Sequence, residues 1–196
     1  MKKLALIGLV MLVGFYLFWE EEITHGPGMV AEASPIQQEL SDVKTFSYAD
    51  YTIAPLASFD IQARVLGKEN YTFDRESDLS PVDLALGWGP MSDEAVLNKI
   101  EITQSGRWYR WSVKEFPIPR RDIETNSANM HLIPATEQIE KVIDRAKKGH
   151  VVGIRGYLVK VSASDGWQWQ SSLTRQDTGA HSCELIWVER FEIIKR

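Results

Sequence analysis

AKKGHVVGIRGYLVKV, residues 146–161, carries the reading of the fold. It opens on the basic end of a helical pattern, stops at Gly149, and continues as a strand that is apolar on both faces. Gly153 and Gly156 stand inside that strand. Glycine in a strand interior marks a sharp bend, and apolar residues on both faces mean that both are covered. The stretch therefore suggests a strand that curves within a small, partly closed sheet, with the preceding helix as its cover. The plainer alternative is a central strand whose glycines only relieve crowding.

Working outward, alternation of period two dominates. VVGIRGYLVKVSASDGWQWQSSL, residues 151–173, reads as a hairpin turning at Asp165-Gly166, and CELIWVERFEII, 183–194, as a last strand. KIEITQSGRWYRWSV, 99–113, gives two strands with Ser105-Gly106 as the turn, and SFDIQARV, 58–65, puts Phe59, Ile61, Ala63 and Val65 on one face. Helices are fewer. In TEQIEKVIDRAKKG, 136–149, Thr136 caps, Ile139, Val142, Ile143 and Ala146 form one stripe, and Gly149 stops the helix. Ser80-Pro81 before VDLALG, with Asp83 at the capping-box position, predicts a short helix to Gly87, and Ser92-Asp93-Glu94 predicts another. NSANMHLIPA, 126–135, reads as a polar loop leading to Thr136. This order is not a regular βαβ alternation, so the expected class is α+β, mainly antiparallel. A small OB-like β-barrel over residues 150–194, the oligonucleotide/oligosaccharide-binding architecture, with a covering helix is the finer expectation.

The N-terminus, MKKLALIGLVMLVGFYLFWEEE, predicts a membrane anchor over residues 1–19. Its uncharged run, Leu4 to Trp19, reaches roughly 24 Å at about 1.5 Å per residue, and snorkelling lysines with Tyr16 and Trp19 at the interface make up the rest. A cleaved signal peptide is the rival, but its A-x-A match, Ala31 to Ala33, lies well beyond the apolar run; a buried core helix is the third reading. Lys2 and Lys3 precede the run and no Lys or Arg follows until Lys44, which places the N-terminus in the cytoplasm and the remainder outside it. Residues 20–42, with GPG at 26–28 and Ser34-Pro35, read as a linker, and 43–196 as the extracytoplasmic β-rich domain.

A net charge of -5 argues against general nucleic-acid binding, which rests on neutralising phosphates. No motif fixes a reaction, and neither a cofactor nor a metal is implied; His25 has no second ligand near it in sequence. Cys183 is the one cysteine of the chain, with His181 two residues ahead. In a strand the two would share a face with Cβ atoms roughly 7 Å apart, loose for a hydrogen bond, and Cys183 falls in an apolar row with Leu185 and Trp187. Cys183, His181 and His131 are the weak catalytic candidates. Arg175, Asp177 and His131 are the ligand-binding candidates, because SSLTRQDTG and NSANMHLIPA offer the polar groups a pocket needs.

The segments GWGPMSD at 87–93, NMHLIPA at 129–135 and RGYLVKV at 155–161 are similar to segments of small bacterial membrane-anchored proteins of unassigned function. That likeness implies a bacterial envelope setting and no activity. The first functional reading is a membrane-tethered extracytoplasmic module that binds an envelope protein or glycan, with the bilayer itself contacted through residues 4–19. The second is a cysteine-dependent envelope enzyme using Cys183 with His181 or His131. A nucleic-acid-binding OB-like protein is the third, disfavoured by charge and topology.

Overall fold

The structure, a computed structural model, describes residues 23–41, 43–174 and 183–195. Its strands are β1 (Ile36–Glu39), β2 (Phe46–Tyr48), β3 (Tyr51–Asn70), β4 (Val82–Gly87), β5 (Ile100–Ser105), β6 (Trp108–Val113), β7 (Ser127–Pro134), β8 (Val151–Ala163), β9 (Gln168–Gln170) and β10 (Glu184–Lys195). The helices are short: α1 (Glu94–Leu97), α2 (Arg120–Thr125) and α3 (Glu137–Ile143), with 3-10 turns at Arg75–Asp78 and Gly89–Ser92.

β8, the strand formed by the glycine-spaced stretch, is antiparallel to β3 on one side and to β10 on the other. β10 lies parallel to β7, β7 antiparallel to β4, and β4 antiparallel to the far end of β3. The path β3–β4–β7–β10–β8 therefore returns to β3, mostly through antiparallel pairs. β1 and β2 add to β3 and β9 adds to β8, while β5 and β6 form a separate ribbon inserted between β4 and β7.

Strand alternation sorts the side chains. Phe59, Leu84, Leu86, Met130, Leu132 and Ile186 face one side, where Ile143 of α3 joins them. The opposite face of β7 and β10 carries Ile133, Leu185 and Trp187, and Phe46 and Tyr48 stack edge-on against Trp187. Full burial of each large apolar side chain contributes about 1.5–3 kcal/mol, so this two-sided layering is what holds the sheet. Gly156 lies opposite Val188, where β10 has a bulge before Arg190, and a Cβ there would land on the Trp187 carbonyl. The glycine makes room for a close backbone approach.

Several elements differ from the sequence reading. Residues 80–87 are not helical: VDLALG is β4, buried throughout, with Val82, Leu84 and Leu86 in the core. Pairing on both edges by β3 and β7 outweighs the capping signal of Ser80-Pro81. NSANMHLIPA is not a loop but the central strand β7, whose polar Asn129 and His131 alternate with Met130 and Leu132. The β5–β6 turn is made by Gly106 and Arg107, both at positive φ (57° and 68°), one residue later than expected. That turn matches the right-handed strand twist and normally selects glycine or asparagine, so an arginine there is held by other contacts. Residues 23–41, expected as a linker, lie against the domain: Ala31 is buried and β1 pairs with β3. The helix at Thr136 is present as α3, with the Thr136 hydroxyl accepting the Ile139 N–H at 3.3 Å. Among the described residues no helix is long and apolar enough to cross a membrane; the expected anchor, residues 1–19, lies outside them.

Candidate functional site

Because Leu84 and Met130 point into the core, their neighbours Asp83 and His131 point to the other face, and the register sets these two directly opposite each other. The His131 Nδ1 stands 2.9 Å from Asp83 Oδ2, with the carboxylate oxygen off the N–H axis, so the contact is closer to an ion pair than to a straight hydrogen bond. Asp83 is fully buried and His131 is 4% exposed. A carboxylate taken that far from water must be surrounded by donors.

Those donors come from the inserted ribbon. Arg107, at the β5–β6 turn, gives Nη1 to Asp83 Oδ1 at 2.9 Å and to the Ser80 carbonyl at 2.9 Å, and Nη2 to Asp74 Oδ1 at 2.8 Å. Its guanidinium lies 3.8 Å from the centroid of the Tyr71 ring, and its backbone N–H donates to the Tyr71 hydroxyl at 2.9 Å. Asn129 donates to Asp83 Oδ2 at 3.3 Å and to the Arg107 carbonyl at 3.2 Å, while accepting from Gln104 at 2.8 Å. These contacts explain the left-handed arginine. They also tie the segment before β4 to the tip of the ribbon.

Cys183 enters from the other side of β7. Its carbonyl accepts the Ser172 N–H at 3.1 Å, the Leu185 N–H donates to the Ser171 hydroxyl at 3.0 Å, and Leu185 lies beside His131 in the parallel register. The thiol is free and partly exposed, and it is one of the groups that raise the His131 pKa. The Trp169 ring covers the histidine, with centroids 5.0 Å apart, and lies 5.7 Å from the Arg107 guanidinium.

The electrostatics follow from these neighbours. Burial pulls the His131 pKa down, but Asp83 and then Cys183 outweigh it and lift the imidazole to about 9. The Arg107 guanidinium holds the Asp74 carboxyl below its usual range, while desolvation pushes the Tyr71 hydroxyl up. The site is thus a row of alternating charges, Asp74, Arg107, Asp83 and His131, ending at a sulfur.

Of the residues singled out from sequence, the structure brings His131 and Cys183 together. Arg175, Asp177 and His181 lie outside the described residues, in a tract whose two ends, Ser172 and Cys183, are hydrogen-bonded to each other beside the site. His25 is elsewhere, its Nε2 donating to the Gly149 carbonyl at 2.6 Å. Asp83, Arg107 and Trp169 were not anticipated as site residues. A lone acid inside the apolar run VDLALG was the available signal for Asp83, and the capping-box reading masked it. Among the described residues no cluster of His, Cys, Asp and Glu is arranged to hold a metal ion. No protein family, curated protein or solved structure matches the chain.

Proposed function

We propose that this protein is a membrane-tethered binding module, held outside the cytoplasm by residues 4–19, and that its circuit of strands is a small OB-like barrel. Numbered along the chain, β3, β4, β7, β8 and β10 pair in the order first, second, third, fifth, fourth, with α3 between the third and fourth. A five-stranded Greek-key barrel of that kind takes ligands on its second and third strands, between the loop joining strands one and two and the loop joining strands four and five.

The observation that carries the reading is convergence on that face. Tyr71 and Asp74 come from the first of these loops, Asp83 and His131 from the second and third strands, and Trp169 from β9 in the second loop. A tryptophan beside polar donors suits the apolar face of a sugar ring, and the chain's charge of -5 disfavours nucleic acid. The ligand is accordingly an envelope glycan.

The test uses the full chain in detergent micelles, titrated with soluble cell-wall glycan fragments and followed by tryptophan fluorescence. Saturable binding is expected, with Trp169→Ala weakening it at least tenfold while leaving the thermal unfolding transition in place. Binding that is equally strong in Trp169→Ala, or that is seen with duplex DNA instead of glycan, refutes the assignment.

A further inference from the structure

We infer that Cys183 is the nucleophile of an acyl-transfer centre on this face, with His131 carrying its proton and Asp83 positioning His131. This goes beyond ligand binding. A nucleophile needs a base within hydrogen-bond reach and a third group that fixes the base. Here the three follow one another from the interior outward: Asp83 is fully buried, His131 is 4% exposed, and Cys183 is partly exposed. The reacting atom is therefore the one a substrate can reach, and the orienting group is the one water cannot.

Each member is fixed by a different strand. Asp83 belongs to β4, His131 to β7, and Cys183 stands immediately before β10, held through its carbonyl by Ser172. The Asp83 carboxylate is itself locked by Arg107 and Asn129, which fixes the group that the His131 Nδ1 faces. The charged groups facing His131 are Asp83 from β4, Arg107 behind it from the ribbon, and Cys183 itself. Trp169 shields the pair from one side, which strengthens their interaction by excluding water.

The chemistry balances with one cysteine. His131, lifted to about 9, already carries the proton at neutral pH, so the Cys183 sulfur attacks the carbonyl carbon of an ester, thioester or amide as the thiolate beside that imidazolium. The tetrahedral adduct collapses, the bond to the leaving group breaks, and His131 gives its proton to that group. An S-acyl Cys183 remains until water or a second nucleophile attacks it, losing a proton to His131. A dithiol redox cycle within the chain would need a second cysteine, and the sequence has only this one.

The experiment exposes the full chain in detergent micelles to p-nitrophenyl acetate and maps the acetyl adduct by mass spectrometry. The expected result is a burst of nitrophenol and an acetyl group on Cys183, both absent in Cys183→Ser and reduced about 100-fold in His131→Gln, the scale of a lost general base. Iodoacetamide alkylation supplies an independent readout that needs no acyl substrate. Its rate at neutral pH, where His131 carries its proton beside the sulfur, is expected to fall in His131→Gln and in Asp83→Asn. Acetylation elsewhere in the chain, or an alkylation rate at neutral pH that is identical in His131→Gln, overturns the proposal. Glycan binding that survives Cys183→Ser separates this outcome from the fate of the binding reading.

Discussion

A methyl group at Gly156 would meet the Trp187 carbonyl and the backbone beside it, whereas one at Gly153 would meet only the ends of the Glu192 and Ile194 side chains. Both glycines look alike in the sequence, yet only the first is pinned by backbone. Gly156→Ala is expected to cost about 1–3 kcal/mol, as overpacking does, and Gly153→Ala well under that, measured by urea denaturation. His131 supplies a second test at this scale. Its folded pKa, about 9, is above the unfolded 6.5, so its stabilising contribution is complete below pH 6.5 and is lost as pH rises through 9. The urea midpoint should fall across that window in the native chain and fall less in Asp83→Asn. The sequence could nominate His131 and Cys183 because their types are chemically distinctive. It marked Asp83 only as a lone acid in an apolar run, since the register of β4 on β7 is what sets that carboxylate against the imidazole.

At the scale of elements, legibility followed how much of the signal was local. α3 carries its own start in Thr136 and part of its stripe in Ile139, Val142 and Ile143, but it ends at Ile143, short of the stop expected at Gly149. Thr136→Ala removes the hydroxyl that accepts the Ile139 N–H and should cost about 1 kcal/mol in the thermal or urea transition. β5 and β6 were likewise visible, because Tyr109, Trp111 and Val113 alternate toward one apolar cluster. β4 and β7 were not. Ser80-Pro81 is a sound helix start in isolation, and Asn129 and His131 resemble loop polarity, but both segments are strands because each has a partner on either side. Their partners are distant in the chain, so no local window contains the reason. The α+β, mainly antiparallel character was readable from the alternating segments, while the circuit depends on β3 being long enough to pair with β8 at one end and β4 at the other.

Across the whole molecule, the stretch after the apolar N-terminus is what joins any tether to the strands. Ile23 lies on Gly149, a residue at φ 93° where a side chain would strike the Ile23 backbone, and Arg64 donates to the Ile23 carbonyl at 3.5 Å. Arg64 also pairs with Glu94, which accepts the His25 N–H at 3.1 Å, and Ala31 exchanges hydrogen bonds with Gly89 and Ser92. Residues 23–33 are therefore a strap whose attachment centres on one buried ion pair. Burial pushes the Glu94 carboxyl up, but the His25 N–H and Arg64 outweigh it and hold it below its usual 4.5, so the strap's stability is present above that value and lost as pH falls below it. Glu94→Gln leaves the Arg64 charge buried without its partner, a change that costs about 3–5 kcal/mol when a buried pair is broken. Limited proteolysis of the full chain at neutral pH should then cut within residues 23–33 faster in Glu94→Gln than in the native protein, and native protein at acidic pH, probed with an acid-stable protease, should approach the variant. Equal resistance in both would mean that packing around Ala31, rather than the ion pair, holds the strap. Cleavage there would also free the strand circuit from the tether without entering it, because β1 begins only at Ile36.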